Sequence, residues 1–396
     1  MKVAIIHDWL TGMRGGEKCL EVFCELFPDA NIFTLLHNKG KLSETIERMD
    51  IKTSFIQKLP FAEKKYRNYL PLFPTAIEQF DMRDFDFILS SSHCVAKGVI
   101  SPPESCHICY CYTPMRYVWD LYQDYLRERG WLMKKIAPYI SNYLRVWDVD
   151  SSSRVDYFVA ISEHVKRRIT KYYRRDCDVI YPPVDIEIFQ PSSSIEDYYL
   201  IVSASVPYKR LDIAIEAFNR LGYPLKVIGT GPDEKRLKAI AKSTEIEFLG
   251  WQPQHSLRDY YSKCKALIFP GVEDFGITVL EAQASGRPVI AYGKGGVLET
   301  VIPLNTPQSI VYGSQPDNEI PTGIFFYEQT PEALIEAIKY FEKAIDFFDS
   351  TRTRDHVVAF DRTKFKERIK RFIEQRYEEH TRESNLRRER IYAKET

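Results

Sequence analysis

An alternation of apolar strands and amphipathic helices runs through the first half of this chain, breaks, and then starts again. Lys2–His7 reads as a strand, and a loop holding Gly12, Gly15 and Gly16 leads into a helix from Glu17 to about Leu26. Further strands read at Asn31–Leu36, DFDFILSSS (84–92), HICYCY (107–112) and VDYFVAIS (155–162), the last running into the helix EHVKRRITKYY. This is the pattern of a parallel sheet covered by helices. At YPPVDIEIFQP (181–191) three prolines in an extended stretch interrupt the rhythm and mark a domain boundary. Beyond it come YYLIVSAS, a helix from about Arg210 to Leu221, LKVIGTG, a helix near Asp233–Lys242, and IEFLGW. LRDYYSKC, KALIFPG, ITVLEAQAS and PVIAYG continue the series.

A single core of 396 residues would be unusual. The reading is therefore an α/β chain of two Rossmann-like domains, 1–183 and 184–360, followed by a charged helical segment at 361–396. That segment is expected to cross back onto the first domain. Residues 191–197 and 313–320 read as surface loops. Lys+Arg and Asp+Glu balance at 55 each, so no overall field points to nucleic acid. MKVAIIHDWL is too short and too polar for a signal peptide, and no stretch approaches 18 apolar residues. A cytoplasmic chain with reduced thiols is expected.

Metal chemistry is not expected either. Cys106, Cys109 and Cys111 crowd together, but a strand points Cys106 and Cys109 to opposite faces, and no second cluster at zinc-finger spacing accompanies them. Two Asp-x-Asp pairs occur, at Asp84/Asp86 and Asp148/Asp150. The first precedes its strand and the second leads into SSSRVDYF, so both read as surface or capping acids.

The chemistry is expected to lie around EDFGITVLE (273–281). Glu273 falls in a loop after a strand and Glu281 lies inside the helix that follows. Gly276 lets a ligand approach the helix N-terminus, whose free N–H groups favour phosphate. Two carboxylate acceptors beside an anion site suit a ligand with several hydroxyls attached to a phosphate, as in a nucleotide sugar.

These residues resemble the retaining glycosyltransferases of family 4, which have the GT-B fold, two Rossmann-like domains facing each other across a cleft. The resemblance is strongest in EDFGITVLEAQASGRPVIAYGKGGVLE and extends to VPYKRLDIAIEAFNRL, VIGTGPD, FLGW, IYPPVD and the N-terminal GGEK. YTPMRYVWD and SSSHCVAKG are similar to a bacterial polysaccharide subgroup described as mannosyltransferases.

The resemblance implies that Glu273 holds the transferred sugar's hydroxyls and Glu281 those of the ribose, with Asp274, Phe275, Gly276 and Ile277 between them in the donor site. Lys209 and Arg210 would neutralise the diphosphate, and Gly15 and Gly16 would close on phosphates and sugar. Loops holding Gly229, Gly231 and Trp251 would border the base. Two departures stand out. The family has a histidine just after the strand at 107–112, where this chain has Tyr112. It has an arginine shortly before the lysine, where this chain has Ala204 or Ser205. His93, Tyr112, His7 and Arg116 are the candidates to assist at the sugar.

The activity implied is metal-independent transfer of a hexose, with GDP-mannose as donor and no cofactor, to a polysaccharide or lipid-linked saccharide. The basic, aromatic stretches 58–74 and 166–176 are the candidates for peripheral contact with the inner face of a membrane. Rival readings are a nucleotide-sugar epimerase on the same fold and a non-catalytic nucleotide-binding partner of a transferase. A nicotinamide dehydrogenase is disfavoured because neither half has the dinucleotide fingerprint.

Overall fold

The structure, a computed structural model, describes residues 1–123, 130–304 and 320–395. The loop expected at 313–320 lies almost wholly outside them. Contacts divide the chain into two units, Met1–Pro183 with Thr363–Thr396, and Val184–Arg362.

The first unit is built on a parallel sheet of β1 (Val3–His7), β2 (Asn31–Thr34), β3 (Asp50–Thr53), β4 (Phe87–Ser92), β5 (Cys106–Cys111), β6 (Tyr157–Ala160) and β7 (Cys177–Val179). Their order is β3-β2-β1-β4-β5-β6-β7. Every residue of β1, β4 and β5 is buried, which is why these strands read as unbroken runs without polar alternation. The edge strands β3 and β7 are short, partly exposed and polar, and give no such signal.

The helix Arg362–Glu395 packs on this sheet, not on the unit that precedes it. Phe365, Ile369 and Ile373, spaced four apart on one face, are buried, and the Phe365 ring meets Phe23 and Tyr110. Lys366 Nζ lies 2.9 Å from a Glu25 carboxylate oxygen.

One expectation about the acids is corrected. Asp148 is fully buried in the helix Trp131–Ser152, where its carboxylate pairs with the equally buried Lys97 ammonium at 2.7 Å. Trp119 Nε1 (2.8 Å) and the Tyr173 hydroxyl (2.9 Å) donate to its second oxygen. It is therefore an internal structural acid. Asp84, Asp86 and Asp150 are exposed, as read from the sequence.

The second unit has a parallel sheet of β8 (Tyr199–Val202), β9 (Leu225–Ile228), β10 (Ile246–Gly250), β11 (Leu267–Phe269), β12 (Val289–Tyr292) and β13 (Gly323–Phe326), in the order β10-β9-β8-β11-β12-β13. The helix Leu211–Leu221 buries Leu211, Ile215 and Phe218 in the same core as Leu334, Ile338 and Phe341 of the helix Pro331–Lys343. Among the described residues no helix is long and apolar enough to cross a membrane.

Candidate active site

Each sheet reverses its strand order once, between β8 and β11 in the second unit and between β1 and β4 in the first. In open α/β sheets the crevice at the carboxyl ends of two such strands is where ligands bind.

In the second unit, Lys209 closes the single turn Pro207–Lys209 after β8, and Glu273 sits in the loop after β11. The two side chains form an ion pair across the switch point, both mostly buried. The Glu273 loop is fixed from behind by Gly295 and Gly296. The Gly296 N–H donates to the Glu273 carbonyl at 2.9 Å, and a Cβ on either glycine would lie about 2.5 Å from the 273–274 backbone carbonyls. The Gly-Gly of GGVLE thus acts by permitting close backbone approach to the loop that carries the carboxylate.

Asp274 and Phe275 are buried in that loop, and Gly276 caps the helix Ile277–Ala284. Glu281, buried within this helix, accepts a hydrogen bond from the Tyr261 hydroxyl at 3.0 Å. Burial first, and then the Glu281 charge, push that hydroxyl well above its ordinary range, so Tyr261 stays a donor. Sequence reading did not single out Tyr261, because its helix, Gln254–Lys263, shows only a generic pattern. Gly229 and Gly231 follow β9. A Cβ on Gly229, at φ +126°, would lie 2.0 Å from the Ser203 carbonyl oxygen. Trp251 is largely exposed. Arg210 turns aside: its guanidinium reaches Asp212 and Gln329 at 3.3 Å. Where the family pattern has its arginine, Ser205 is buried and its backbone is bonded to Thr230 and Asp233. An open depression of about 530 Å3 lined by Glu187, Ile188, residues 190–193, Arg258 and Ser262 holds none of these side chains.

In the first unit, β1 and β4 bring His7, Asp8, Ser91 and His93 together, with His7 paired to Ser91 in register. His7 Nδ1 lies 3.0 Å from Ser91 Oγ, which in turn lies 2.9 Å from the Tyr112 hydroxyl. Tyr112 donates to the Gly16 carbonyl at 2.9 Å, and burial raises its hydroxyl well above the usual range. Tyr112 is thereby committed to holding the glycine loop beside the N-terminus of the helix Gly15–Leu26. His7 is buried, 3.7 Å from Glu17. His93 is the more accessible imidazole, its side chain 32% exposed. Arg116 is half-buried, and the nearby Asp120 carboxylate is held by Arg168 at 2.8 Å and by Tyr172.

Asp8 was not read as a site residue, yet it anchors this cluster. Fully buried, it accepts backbone N–H bonds from His93, Cys94, Val95 and Ala96 at 2.6–2.9 Å, and His93 Nδ1 lies 3.0 Å from its carboxylate. The available signal was an acid immediately after a buried strand. Burial alone would raise its pKa, but the His93 charge and hydrogen bonds outweigh burial and lower it from 3.8 to about 2.

A carboxyl whose folded pKa is depressed stabilises the native state above its unfolded value and loses that contribution as pH falls through the folded value. The stabilisation, about 2 kcal/mol, is expected to be complete above pH 3.8 and to disappear toward about 2. Asp8→Asn should flatten this acid limb in urea unfolding of the full chain. An unchanged limb would mean that Asp8 carries no such linkage.

Residues 185–347 match the family described as glycosyl transferases group 1. That segment lies inside the second unit and spans the loops from Lys209 to Glu281. The second unit is thus similar to the group 1 glycosyl transferases over most of its length. A glycosyltransferase of Methanocaldococcus jannaschii is 30% identical over 156 residues, covering 38% of this chain and 44% of that protein. The O-antigen chain mannosyltransferase C of Escherichia coli is 25% identical over 266 residues, covering 61% of this chain and 67% of that protein. The chain thus spans less than half the length of the archaeal relative. Sucrose-phosphate synthase from Thermosynechococcus elongatus superposes with a TM-score of 0.70 at 14% identity, over 95% of this chain and 99% of that one. Anabaena HepE, solved in complex with UDP-glucose, gives 0.67 at 14%, over 95% and 100%. The fold of the chain is GT-B.

Proposed function

We propose that this protein is a retaining hexosyltransferase that uses GDP-mannose and transfers mannose to a polysaccharide or lipid-linked saccharide without a metal. The observation that carries the reading is the Lys209–Glu273 pair at the switch point of the second unit. Breaking a sugar–phosphate bond develops negative charge on the diphosphate and positive charge on the sugar. A cation and an anion, preorganised side by side, meet both demands. In this reading Lys209 and the N–H groups at Ile277 receive the diphosphate, and Glu273 holds the sugar hydroxyls. Glu281, oriented by Tyr261, takes the ribose. Gly229, Gly231 and Trp251 border the base. The resemblance adds Gly15, Gly16 and His93, the last oriented by Asp8, as the first unit's candidates for donor and sugar. Mannose as the sugar is supported by the O-antigen mannosyltransferase among the relatives.

Thermal unfolding with GDP, UDP, ADP and dTDP and their sugar conjugates tests this. At 100 times its dissociation constant a ligand adds about 2.7 kcal/mol to the native state. GDP and GDP-mannose are expected to raise the unfolding temperature, and Glu281→Ala to reduce the shift. A shift with uridine nucleotides alone would move the donor to the chemistry bound by HepE. No shift with any nucleotide would end the transferase reading.

A lipid-linked acceptor calls for contact with a membrane face. Of the two stretches expected to make it, 58–74 exposes Phe61 and Leu72 beside Lys58, Lys64 and Lys65, whereas 166–176 turns Ile169 and Tyr173 inward and stacks Tyr172 on Trp119. The helix Trp131–Ser152 offers a broader surface that the sequence reading passed over. Trp131, Ile136, Tyr139, Tyr143 and Val146 are all exposed, fall within one helical face, and are flanked by Lys134 and Lys135. Sedimentation with anionic vesicles is expected for the wild type, and Trp131→Asp with Tyr139→Asp should weaken it at least about tenfold. Equal sedimentation of both proteins would remove this surface as the contact.

A further inference from the structure

We propose that the amino ends of β5 and β6 and the last helix together hold one divalent transition-metal ion with the chemistry of zinc, on Cys106, Asp156 and His380. Each of these residues places one donor atom (thiol sulfur, carboxylate oxygen, imidazole nitrogen) within 4.8 Å of the other two. They come from three separate elements, the first residue of β5, the residue before β6, and the helix Arg362–Glu395.

Ligand atoms about 2.0–2.3 Å from a tetrahedral zinc lie about 3.3–3.8 Å apart. From separations of at most 4.8 Å the cluster needs to close by no more than about 1.5 Å, a movement within reach of the exposed Asp156 and the half-buried His380. The outer atoms of two ligands are already oriented. Asp156 Oδ2 accepts the His107 N–H at 2.8 Å, and His380 Nε2 faces the Glu104 carbonyl at 3.4 Å. Outer bonds of this kind fix the carboxylates and imidazoles of metal sites. They leave the second Asp156 oxygen and His380 Nδ1 for the ion. Sulfur, imidazole and carboxylate together select a borderline-soft cation over magnesium or calcium. Water, or Glu383 one turn beyond His380, would complete four ligands, and binding would release the Cys106 thiol proton.

The cluster lies at the amino ends of the strands, whereas His7, Asp8 and His93 lie at the carboxyl ends. The ion would therefore pin the last helix to the sheet and take no part in transfer. It stands independently of the proposed function.

The test uses the full chain, freed of metal by chelation and titrated with Co2+ as the probe. The wild type is expected to bind one ion per chain with a thiolate-to-cobalt charge-transfer band, displaced by Zn2+. Cys106→Ser should abolish the band. His380→Ala, on a partly exposed helical position where the fold is expected to survive, should weaken binding more than about 100-fold, beyond the loss typical of an outer partner alone. Chelation should lower the unfolding temperature of the wild type and leave that of His380→Ala unchanged. Failure of the wild type to bind Co2+ at micromolar concentration would overturn the proposal. So would a band that persists undiminished in His380→Ala, because the ion would then sit on other cysteines.

Discussion

Lys209→Ala is expected to lower kcat by about 10²–10³, the usual cost of removing one preorganised donor from a developing anion. The ion pair makes the prediction more specific. Before donor binds, Lys209 and Glu273 compensate each other's charge. In the proposed reading the diphosphate then replaces Glu273 as the partner of the ammonium, and Glu273 turns to the sugar. The two residues should therefore respond with different signs. Lys209→Ala should weaken GDP binding as well as turnover, since it removes a cation from the diphosphate. Glu273→Gln should leave GDP binding unchanged or stronger, because the competing carboxylate charge is gone, while kcat falls. Calorimetric titration with GDP beside steady-state transfer separates these effects. Weaker GDP binding in both variants would show that Glu273 orients the nucleotide and would remove its assignment to the sugar.

Lys97→Ala is expected to destabilise the chain by about 3–5 kcal/mol, because it leaves the Asp148 carboxylate buried without its cation. Lys97 Nζ also donates to Ser151 Oγ at 2.9 Å and lies 5.2 Å from the ring centres of Trp147 and Tyr173. Solvent therefore has little room to take its place. Native stabilities of about 5–15 kcal/mol leave little margin for such a loss. Replacing both charges, Lys97→Met with Asp148→Asn, should cost less, since no buried charge is left unpaired and the amide oxygen still accepts from Trp119 Nε1 and the Tyr173 hydroxyl. Urea unfolding measures both variants. A loss under about 1 kcal/mol in Lys97→Ala would mean that Asp148 is neutralised or hydrated without its partner.

These two sites show which parts of the molecule the sequence exposed. The strand at KALIFPG, the loop at Glu273 and the helix holding Glu281 are consecutive, so the candidate site they form is local and could be proposed from the sequence. The alternation of strands and helices was legible for the same reason: buried parallel strands lose their polar alternation. SSSHCVAKG and YTPMRYVWD, by contrast, were recognisable only by resemblance. In the structure, Cys94–Ala96 supply N–H groups to Asp8, while Lys97 and Trp119 meet on Asp148. These contacts join residues 29 to 88 positions apart. No local periodicity reports them, and Asp148 accordingly read as a surface acid. Asp8 was overlooked because its role depends on a backbone turn after β4, and Tyr261 because its partner lies on a different helix.

The return of the last helix to the first sheet has a consequence for how the protein is made. Phe365, Ile369 and Ile373 complete a core begun by Phe23 and Tyr110, so the first unit is divided in sequence around the whole of the second. On the ribosome, where domains tend to fold in order of emergence, Val184–Arg362 can close as soon as it is translated. The earlier-synthesised unit must wait, with part of its apolar surface uncovered, until residues 363–373 have left the exit tunnel. Translation errors or nascent-chain truncations that remove residues 363–373 would therefore damage the unit whose strands are synthesised first.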